Sequence, residues 1–572
     1  MSADFQVLGR NPKALFKLRI HRGEGMALLA MNWKAGTPPA DFVGFAIEYK
    51  EPGGDRFFTL RNRIAFPGPD GKVDPDGAPT LLAPIQKFRW VHFPRTAELP
   101  GDFVYRVTPV FMNAADELSY GEPQTAALEL RRETYPGKLN VTFTRGFVSS
   151  QAFVDQFAGA GKISTLLPER ADEGLDFKPT HPKAEQALAW MGFEARRAIL
   201  ELLDQAIADT SAQVRVIAYD LSEPDVVARL ERLGPRLKVI IDDDGDHGAA
   251  TSGETQAQRR LEQTAGAGNV KRQHMGGLQH NKTIVVDGSK VRAAVCGSTN
   301  FSWRGFFVQS NNAVVVRGKR PVKRFNDAFD AYFEHGDGVA GFGASTSAQL
   351  TTVGLTKIDA QLGFSPYATK NALLARIAQD IRDNSTSSVF YSLAFVFQTP
   401  GPIRDAIKAV TDDARIFVYG ISDKKVGGLD VQKPSGNVAA VSAAALGKNA
   451  PEPFKSEPAG GGGIRMHHKF VVIDFDKPTA RVYLGSYNFS AAADEDNGEN
   501  LLLIRDRRVA VAYTVEAIRI FDHYHFRVAQ QEARTAKQQL VLAKPPRAAG
   551  EAPWWQEHYT DRSKIRDREL FT

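Results

Sequence analysis

The feature that most constrains this chain is a pattern that occurs twice. Each copy has a histidine, a lysine two residues later and an aspartate five residues after that lysine, set in an apolar run. The copies are His280, Lys282 and Asp287, and His467, Lys469 and Asp474. Two copies predict a pair of similar lobes rather than a solenoid, which needs at least about three repeats to be stable.

The order of predicted elements before each copy is also repeated. A helix leads to an apolar strand, a second helix and a second strand. In the first copy these lie at 185–209, 214–219, 224–233 and 237–241, and in the second at 371–382, 389–396, 402–410 and 416–419. Strands that alternate with helices predict a layered α/β architecture.

The first 132 residues show a different pattern of apolar residues. Apolar residues alternate with a period of two over 26–33, 42–49 and 103–111, separated by turns rich in Gly, Pro and Asp. This predicts a small all-β sandwich, and with Trp33 early and Tyr105 late it resembles a fibronectin type III module. The predicted domains are the sandwich at 1–132, two α/β lobes at 133–345 and 346–545, and a tail at 546–572.

A second motif follows each histidine and lysine. After the next apolar strand come Gly297-Ser298-Thr299-Asn300-Phe301-Ser302 and, in the second copy, Gly485-Ser486-Tyr487-Asn488-Phe489-Ser490. Side chains two residues apart on a strand point to the same face, so each histidine shares a face with its lysine. We expect the turn to return a hydroxyl and an amide to the same end of the sheet.

These side chains suit one chemical task. Imidazole can attack or protonate near neutral pH, while an ammonium group and neutral amide donors stabilise the charge on phosphoryl oxygens in a transition state. With two histidines, one can act as the nucleophile on phosphorus while the other protonates the leaving oxygen and then activates water. The predicted outcome is the hydrolysis of a phosphodiester.

The paired His-x-Lys-x4-Asp and Gly-Ser-x-Asn-Phe motifs resemble the phospholipase D superfamily over about residues 140–535. The resemblance implies two α/β/α lobes at a pseudo-twofold axis and a phosphodiesterase that needs no metal or cofactor and forms a covalent phosphohistidine. It assigns catalysis to both histidines and lysines and to Asn300 and Asn488. It places Ser298 and Ser486 near the phosphate and gives Asp287 and Asp474 a more structural role.

The two copies differ at one position that bears on the chemistry. Asn497-Gly498-Glu499-Asn500 follows the second motif and resembles the stretch whose glutamate orients the motif histidine in nuclease members, whereas the first copy has Asn311 at the aligned place. A carboxylate bonded to one ring nitrogen makes the other more basic, which favours His467 as the nucleophile. Family precedent favours His280. We therefore assign both histidines as catalytic and leave their roles open.

Metal-based alternatives find little support in the sequence. Its single cysteine, Cys296, excludes an intrachain disulfide and a multi-thiolate metal site. The run Asp242-Asp243-Asp244-Gly245-Asp246-His247 has histidine where a calcium loop needs glycine, and no glutamate closes the pattern. We interpret it as a polar loop at a strand end and predict no metal site.

The net charge and the hydropathy of the sequence limit which binding partners and which cellular location we expect. The net charge of +6 favours anionic partners, and neither a signal peptide nor a membrane-spanning run is recognisable, so we expect a cytoplasmic protein. We predict cleavage of a phospholipid, with peripheral membrane contact and a monomeric chain compatible with the pattern. The alternative is an endonuclease or other nucleic-acid phosphodiesterase. Residues 425–463 are predicted to form a long loop, either a lid over the site or a surface insertion.

Overall fold

The computed structural model describes residues 4–68, 77–130, 133–146, 150–169, 174–394, 396, 400–423, 429–435, 438–441 and 466–572. The chain divides into two compact units. The first takes in Met1–Arg132, Pro434–Asn437 and Val511–Thr572, and the second takes in Glu133–Lys433 and Val438–Ala510.

The first unit is built on β-strands, several of which are buried over much of their length. Its strands are β1 Gln6–Leu8, β2 Phe16–Arg22, β3 Ala27–Trp33, β4 Phe42–Lys50, β5 Phe58–Thr59, β6 Arg61–Asn62, β7 Ala78–Pro79, β8 Arg89–His92, β9 Asp102–Met112, β10 Leu118–Tyr120 and β11 Gln124–Glu129. One sheet has the order β1-β2-β3-β8 and a second has the order β10-β9-β4-β5, with β11 paired to β9. Strands β6 and β7 form a separate pair.

The inward faces of these two sheets share one core. Phe16 and Ile20 from β2 are buried with Phe45 from β4 and Tyr105 from β9. Two antiparallel sheets packed in this way confirm the predicted all-β sandwich, while the fibronectin type III likeness stays a prediction. From the C-terminal residues Trp555 joins this core and donates its indole N–H to the carbonyl of Pro39, at 3.2 Å.

The second unit contains two mixed sheets flanked by helices. Its strands are β12 Leu139–Phe143, β13 Gln213–Ala218, β14 Leu237–Ile241, β15 Val270–Arg272, β16 Lys282–Asp287, β17 Arg292–Gly297, β18 Asn312–Arg317, β19 Thr351–Thr352, β20 Asp359–Ser365, β21 Ser388–Ala394, β22 Phe417–Asp423, β23 Leu429–Gln432, β24 Val438–Val441, β25 Phe470–Ile473, β26 Arg481–Gly485 and β27 Glu499–Arg505. The sheet orders are β12-β18-β17-β16-β13-β14-β15 and β19-β20-β27-β26-β25-β21-β22-β23-β24.

Helices cover these sheets and continue into the first unit. The α-helices are α1 Ser150–Phe157, α2 Ala184–Ala208, α3 Pro224–Leu233, α4 Gly253–Ala265, α5 Trp303–Phe307, α6 Lys319–His335, α7 Val339–Gly343, α8 Ala372–Asn384, α9 Pro402–Asp412, α10 Ala491–Glu495, α11 Arg507–Thr535, α12 Glu557–Thr560 and α13 Arg562–Leu570. Short 3₁₀ turns lie at Ala158–Ala160, Ile163–Thr165, Gly234–Arg236, Gly245–Gly248 and Ala267–Asn269. No helix among the described residues is long and apolar enough to cross a membrane.

The strand orders confirm the predicted pair of α/β lobes. Six strands of lobe 1, β12-β18-β17-β16-β13-β14, correspond in order to β20-β27-β26-β25-β21-β22 of lobe 2. The last serine of each Gly-Ser-x-Asn-Phe-Ser motif also has the same structural role in the two lobes. Ser302 accepts a hydrogen bond from the N–H of Gly305 and Ser490 from that of Ala493, so each serine caps the short helix that follows it.

The lobes diverge beyond these six strands. In lobe 1 helix α4 returns the chain to a parallel strand, β15, whereas in lobe 2 the antiparallel strands β23 and β24 extend the sheet. These two strands lie inside residues 425–463, so the prediction of a continuous loop is wrong there. Most of the remaining positions of that segment, and with them the lid hypothesis, lie outside the described residues.

Candidate active site

The two motif histidines meet in the second unit. His280 lies two residues before the strand pair β16–β17 and His467 three residues before β25–β26, near the middle of the two sheets. The ring centroids of His280 and His467 lie 6.3 Å apart, and both side chains are buried. The repeat therefore brings its two copies together in one site.

Each motif lysine lies beside the backbone of its own histidine. The ammonium of Lys282 donates to the carbonyl of His280 at 2.5 Å, and that of Lys469 donates to the carbonyl of His467 at 2.8 Å. Burial lowers the pKa of Lys282 to about 8, against the attraction of Glu499 and Asp220. The two ammonium groups give the site a concentrated positive potential suited to an anionic group.

The group that supports each histidine comes from the opposite lobe. Oε2 of Glu499, in lobe 2, lies 2.8 Å from Nδ1 of His280, in lobe 1. The interpretation that Glu499 backs His467 is therefore wrong. It assumed that a motif supports its own histidine, whereas Glu499 and Asn500, at the start of β27, both contact residues of lobe 1. The Glu499 carboxylate favours His280 as the more basic imidazole, and this now agrees with the family precedent.

His467 has an amide where His280 has a carboxylate. Its Nδ1 lies 2.8 Å from Oδ1 of Asn311 and 2.9 Å from the carbonyl of Ser298. Both partners are acceptors, so Nδ1 carries the proton and Nε2 is the nitrogen left for chemistry. The amide nitrogen of Asn311 donates to the carbonyl of Gly305, at 2.8 Å, which fixes the orientation of the side chain.

Burial dominates the acid–base properties of both histidines. It lowers the pKa of His280, although the Glu499 carboxylate opposes the shift. It lowers the pKa of His467 well below its ordinary value, and the nearby Lys469 and Lys282 ammonium groups act in the same direction. His467 is therefore neutral around pH 7.

A second pair of cross-lobe contacts lies beside the first. The amide of Asn500 donates to Oδ1 of Asn281 at 2.9 Å, and that of Asn312 lies 3.4 Å from Nδ1 of His468. Each of these residues is adjacent in sequence to one of the primary pair members. These four side-chain contacts are arranged symmetrically between the lobes, and the carboxylate of Glu499 breaks the symmetry.

The motif serines lie behind the histidines and hold the strands that carry their partners. Ser298 donates to Oδ1 of Asn311 at 3.0 Å and accepts from the N–H of Asn312. Ser486 accepts from both the backbone N–H and the side-chain amide of Asn500. Both hydroxyl groups are thereby engaged within the protein, so their expected proximity to a phosphate stays a prediction.

The motif asparagines differ in their surroundings. Asn300 is buried, and its Oδ1 has no hydrogen-bond partner among the described residues. Asn488 is half-buried and lines a cleft of about 350 Å³ together with Phe489 and Arg404. A direct role of either amide at the reacting phosphorus stays a prediction.

The motif aspartates lie at the far ends of the strands. Asp474 is buried and accepts hydrogen bonds from the N–H groups of Thr386 and Ser387, at 2.9 Å and 2.7 Å. Asp287 is half-buried and pairs with the side chain of Arg292 at 3.0 Å. Both aspartates thus bond to neighbouring parts of the protein, and Asp474 accepts more hydrogen bonds than Asp287 does.

Sequence reasoning missed Tyr219, the residue that follows β13. Its ring lies 4.7 Å from that of His280 and 4.5 Å from that of His247, centroid to centroid. The Lys282 ammonium lies 4.5 Å from the same ring, within the range of a cation–π contact. The available signal was its place at the end of an apolar strand that neighbours the motif strand β16.

The acidic run after β14 does not form the calcium loop that its composition suggests. Ligand atoms of Asp220, His247 and Glu254 lie within 4.8 Å of one another, close enough to hold a cation. However, Nδ1 of His247 lies 2.7 Å from Asp242 and Nε2 lies 3.2 Å from Asp220. Since both ring nitrogens bond to carboxylates, His247 acts as an ion-pair partner.

Parts of the chain are similar to phospholipase D-like proteins. A family profile described as "Cardiolipin synthase, PLD-like domain" matches residues 203–335 and 397–521, one stretch in each lobe. The chain is 47% identical over 47 residues to a phospholipase D of Rickettsia felis, and 45% identical over 47 residues to one of Rickettsia prowazekii. It spans about a fifth of the length of these curated relatives (22% and 21%), and each match covers 8% of this chain.

Two solved structures extend the comparison at low identity. Phosphatidylserine synthase of Haemophilus influenzae is 14% identical, with a TM-score of 0.39 over 66% of this chain and 93% of its own. Nuc, a phospholipase D family member of Salmonella typhimurium, is 23% identical, with a TM-score of 0.20 over 25% of this chain and 88% of its own. The family match shows that the chain contains the phospholipase D-like domain that its motifs predict.

Proposed function

We propose that this protein is a phosphodiesterase of the phospholipase D type that hydrolyses a phospholipid to phosphatidic acid and the headgroup alcohol. The observation that carries the proposal is the convergence of His280 and His467, with ring centroids 6.3 Å apart, beside two lysine ammonium groups. That separation leaves room for one phosphoryl group between two imidazole rings. The family match supports the same class of reaction.

His280 is the nucleophile in this proposal. Its Nδ1–H donates to Glu499, so the lone pair on Nε2 attacks phosphorus and forms an N–P bond. The bond from phosphorus to the leaving oxygen breaks, and that oxygen takes the proton from Nε2 of His467. The headgroup alcohol departs, and the phosphatidyl group remains on His280.

The second step returns the enzyme to its starting state. Neutral His467 accepts a proton from water, and the water oxygen bonds to phosphorus as the N–P bond of the phosphohistidine breaks. Phosphatidic acid leaves, and the electron pair of the broken bond returns to Nε2 of His280. Lys282 and Lys469 stabilise the charge on the phosphoryl oxygens in both transition states.

His467 must be protonated before it can serve as the acid. In the empty site its pKa is well below the ordinary value because of burial and the two nearby lysines. A bound phosphodiester anion adds a negative charge next to the ring and raises that pKa. Substrate binding and protonation of His467 are therefore coupled in the proposed mechanism.

A nucleic-acid phosphodiesterase is the second candidate. The glutamate in the Asn-Gly-Glu-Asn stretch, which resembles the nuclease members, is the residue that supports His280. The mildly basic composition is compatible with the binding of either a nucleic acid or an anionic lipid surface. We rank the phospholipid first because the relatives that share a short stretch at 45–47% identity are named phospholipase D.

The test is an assay of the purified full chain with chelator present, against phosphatidylcholine vesicles, single-stranded DNA and duplex DNA. We expect lipid cleavage in the wild type and its loss, by at least about 1,000-fold, in His280→Asn and in His467→Asn. His335→Asn, at an exposed helix end, is the matched control and should keep wild-type activity. Cleavage of DNA but not lipid would replace the first candidate with the second.

Trapping the intermediate separates the two histidine roles. Substrate quenched with base during turnover should leave the phosphatidyl group on His280, located by mass spectrometry of peptides. Label on His467 would reverse the roles, and a chemically competent enzyme that labels neither histidine would remove the covalent step.

A further inference from the structure

His247 lies at the centre of a partly buried charge network behind the first half of the site. Its Nδ1 lies 2.7 Å from Oδ2 of Asp242, and its Nε2 lies 3.2 Å from Oδ1 of Asp220. Carboxylate oxygens accept hydrogen bonds, so both ring nitrogens carry protons and the ring is an imidazolium. Burial disfavours that charge, but the two carboxylates outweigh it and raise the pKa of His247 to about 10.

The two carboxylates reach both strand ends that build the lobe 1 half-site. Oδ1 of Asp242, a fully buried residue, accepts from the N–H of Gln279 at 2.6 Å, and Gln279 directly precedes His280. Oδ2 of Asp220 accepts from the hydroxyl of Ser302 at 3.1 Å, two residues after Asn300. The network therefore ties the histidine segment to the Gly-Ser-Thr-Asn turn.

Tyr219 separates the imidazolium from His280. The Tyr219 ring has its centroid 4.5 Å from that of His247 and 4.7 Å from that of His280. The two histidine rings are consequently no more than about 9 Å apart. At that separation a buried unit charge changes a neighbouring pKa by about one unit.

We propose that His247 is a positioning residue for the phosphodiesterase reaction: its imidazolium, held between Asp220 and Asp242, fixes the backbone before His280 and balances the charge behind Tyr219. This inference rests on the proposed function of the site, and it adds to that site a residue outside both sequence motifs. His247 acts through Asp242 and Tyr219 and does not itself contact the reacting atoms.

The sign of the electrostatic effect follows from the groups that face each ring. His280 is faced by Glu499, Lys282, Lys469, His467 and Tyr219, and His247 is faced by Asp220, Asp242, Glu254 and Tyr219, with Arg272 on its carbonyl. Replacing His247 with a neutral residue leaves the carboxylates without their cation. The extra negative charge favours protonated His280, so the pKa of His280 rises.

A nucleophile must be deprotonated at the attacking nitrogen. One limb of the profile of kcat/KM against pH reports that deprotonation of His280 in the free enzyme. His247→Gln should therefore move this limb to higher pH by about one unit. Asp220→Asn, which removes a negative charge and keeps an oxygen acceptor for Ser302, should move it to lower pH.

The experiment measures pH profiles of the full chain on bis(p-nitrophenyl) phosphate, with melting temperatures as a check of folding. His274→Gln is the matched control, because it removes a histidine–aspartate pair from the same region at a partly exposed position, where Nδ1 lies 2.9 Å from Asp243. We expect its profile to match that of the wild type.

Opposite shifts in His247→Gln and Asp220→Asn support the inference. A uniform loss of rate with an unmoved limb in both folded variants would overturn it and leave His247 a merely structural residue. If His247→Gln does not fold, a shift of the limb to lower pH in Asp220→Asn supports the inference, and an unmoved limb in that variant overturns it. A wild type that cleaves no phosphodiester would instead overturn the proposed function, and the role of His247 with it.

Discussion

The two lobes of the second unit share a strand order and differ in how they support their histidines. His280, in lobe 1, bonds to the carboxylate of Glu499, and His467, in lobe 2, bonds to the amide of Asn311. A carboxylate stabilises an imidazole that gains positive charge during attack, whereas an amide holds the ring without adding charge. The repeat thus supplies a symmetric frame, and one residue makes the two halves chemically distinct.

The crossing of these contacts also makes the halves interdependent. Glu499 belongs to β27 of lobe 2, and Asn311 directly precedes β18 of lobe 1. Each lobe therefore carries a histidine that the other lobe orients. A lobe expressed alone would present its histidine without the partner that fixes its tautomer.

The lobes differ again at the far end of the motif strands. In lobe 2 the buried carboxylate of Asp474 bonds to the N–H groups that precede β21. In lobe 1 the corresponding Asp287 pairs with Arg292, while Asp209, at the end of α2, bonds to the N–H groups of Lys290 and Val291. In both lobes an aspartate carboxylate links two neighbouring segments. In lobe 2 that aspartate follows the motif strand β25, whereas in lobe 1 it follows helix α2.

The largest expected effect is on the carboxylate that breaks the symmetry. Glu499→Gln keeps the size of the side chain and removes its charge, so the imidazolium-like transition state at His280 loses its counter-charge. We expect kcat to fall on the order of 100-fold or more. The measurement is the single-turnover rate of phosphoenzyme formation.

Asn311→Ala is the comparison for that variant. His467 retains the carbonyl of Ser298 as a second acceptor at 2.9 Å, so its tautomer survives the change. We expect kcat to fall by about 10-fold in this variant. Equal losses in the two variants would contradict the view that the carboxylate and the amide play different parts.

The next effect is on stability and concerns the two motif aspartates. Asp474→Asn keeps a side chain that tolerates the positive φ of 54° at this position, but it turns an amide N–H₂ toward backbone N–H donors. We expect the second unit to lose about 2 kcal/mol of unfolding free energy. Urea denaturation followed by tryptophan fluorescence and circular dichroism measures the loss.

Asp287→Asn is the matched change in lobe 1. Its partner Arg292 is 45% exposed, and an exposed ion pair contributes little to stability. We expect a loss of about 0.5 kcal/mol or less. A loss at Asp287 as large as that at Asp474 would show that the lobes are joined in the same way.

The repeat made most of the fold predictable from sequence. The predicted helices at 185–209 and 224–233 correspond to Ala184–Ala208 and Pro224–Leu233, because strong apolar periodicity and a proline at the start of the second helix define them. The expectation that each lysine shares a strand face with its histidine stays a prediction, because both histidines precede the strands β16 and β25. The meeting of His280 and His467 followed from the family resemblance.

What sequence reasoning could not supply was the register between the lobes. Glu499 is 32 residues from His467 and 219 from His280, yet it bonds to the latter. Proximity along the chain suggested the wrong partner, because only the packing of two sheets decides which residues of β27 face which lobe. Tyr219 and His247 were missed for a related reason, since no motif marks a residue that acts through its neighbours.

The smallest expected effect is a proton taken up when an anion binds. His467 is neutral near pH 7 before an anion binds, because burial and then Lys469 and Lys282 lower its pKa. A tetrahedral dianion such as tungstate should raise that pKa, so binding at pH 7 should take up at most about one proton per anion. Titration calorimetry in two buffers of different ionisation enthalpy measures the number. His280 carries its counter-charge already, so uptake should persist in His280→Asn and vanish in His467→Asn. Uptake that instead depends on His280 would place the acid on lobe 1 and invert the comparison.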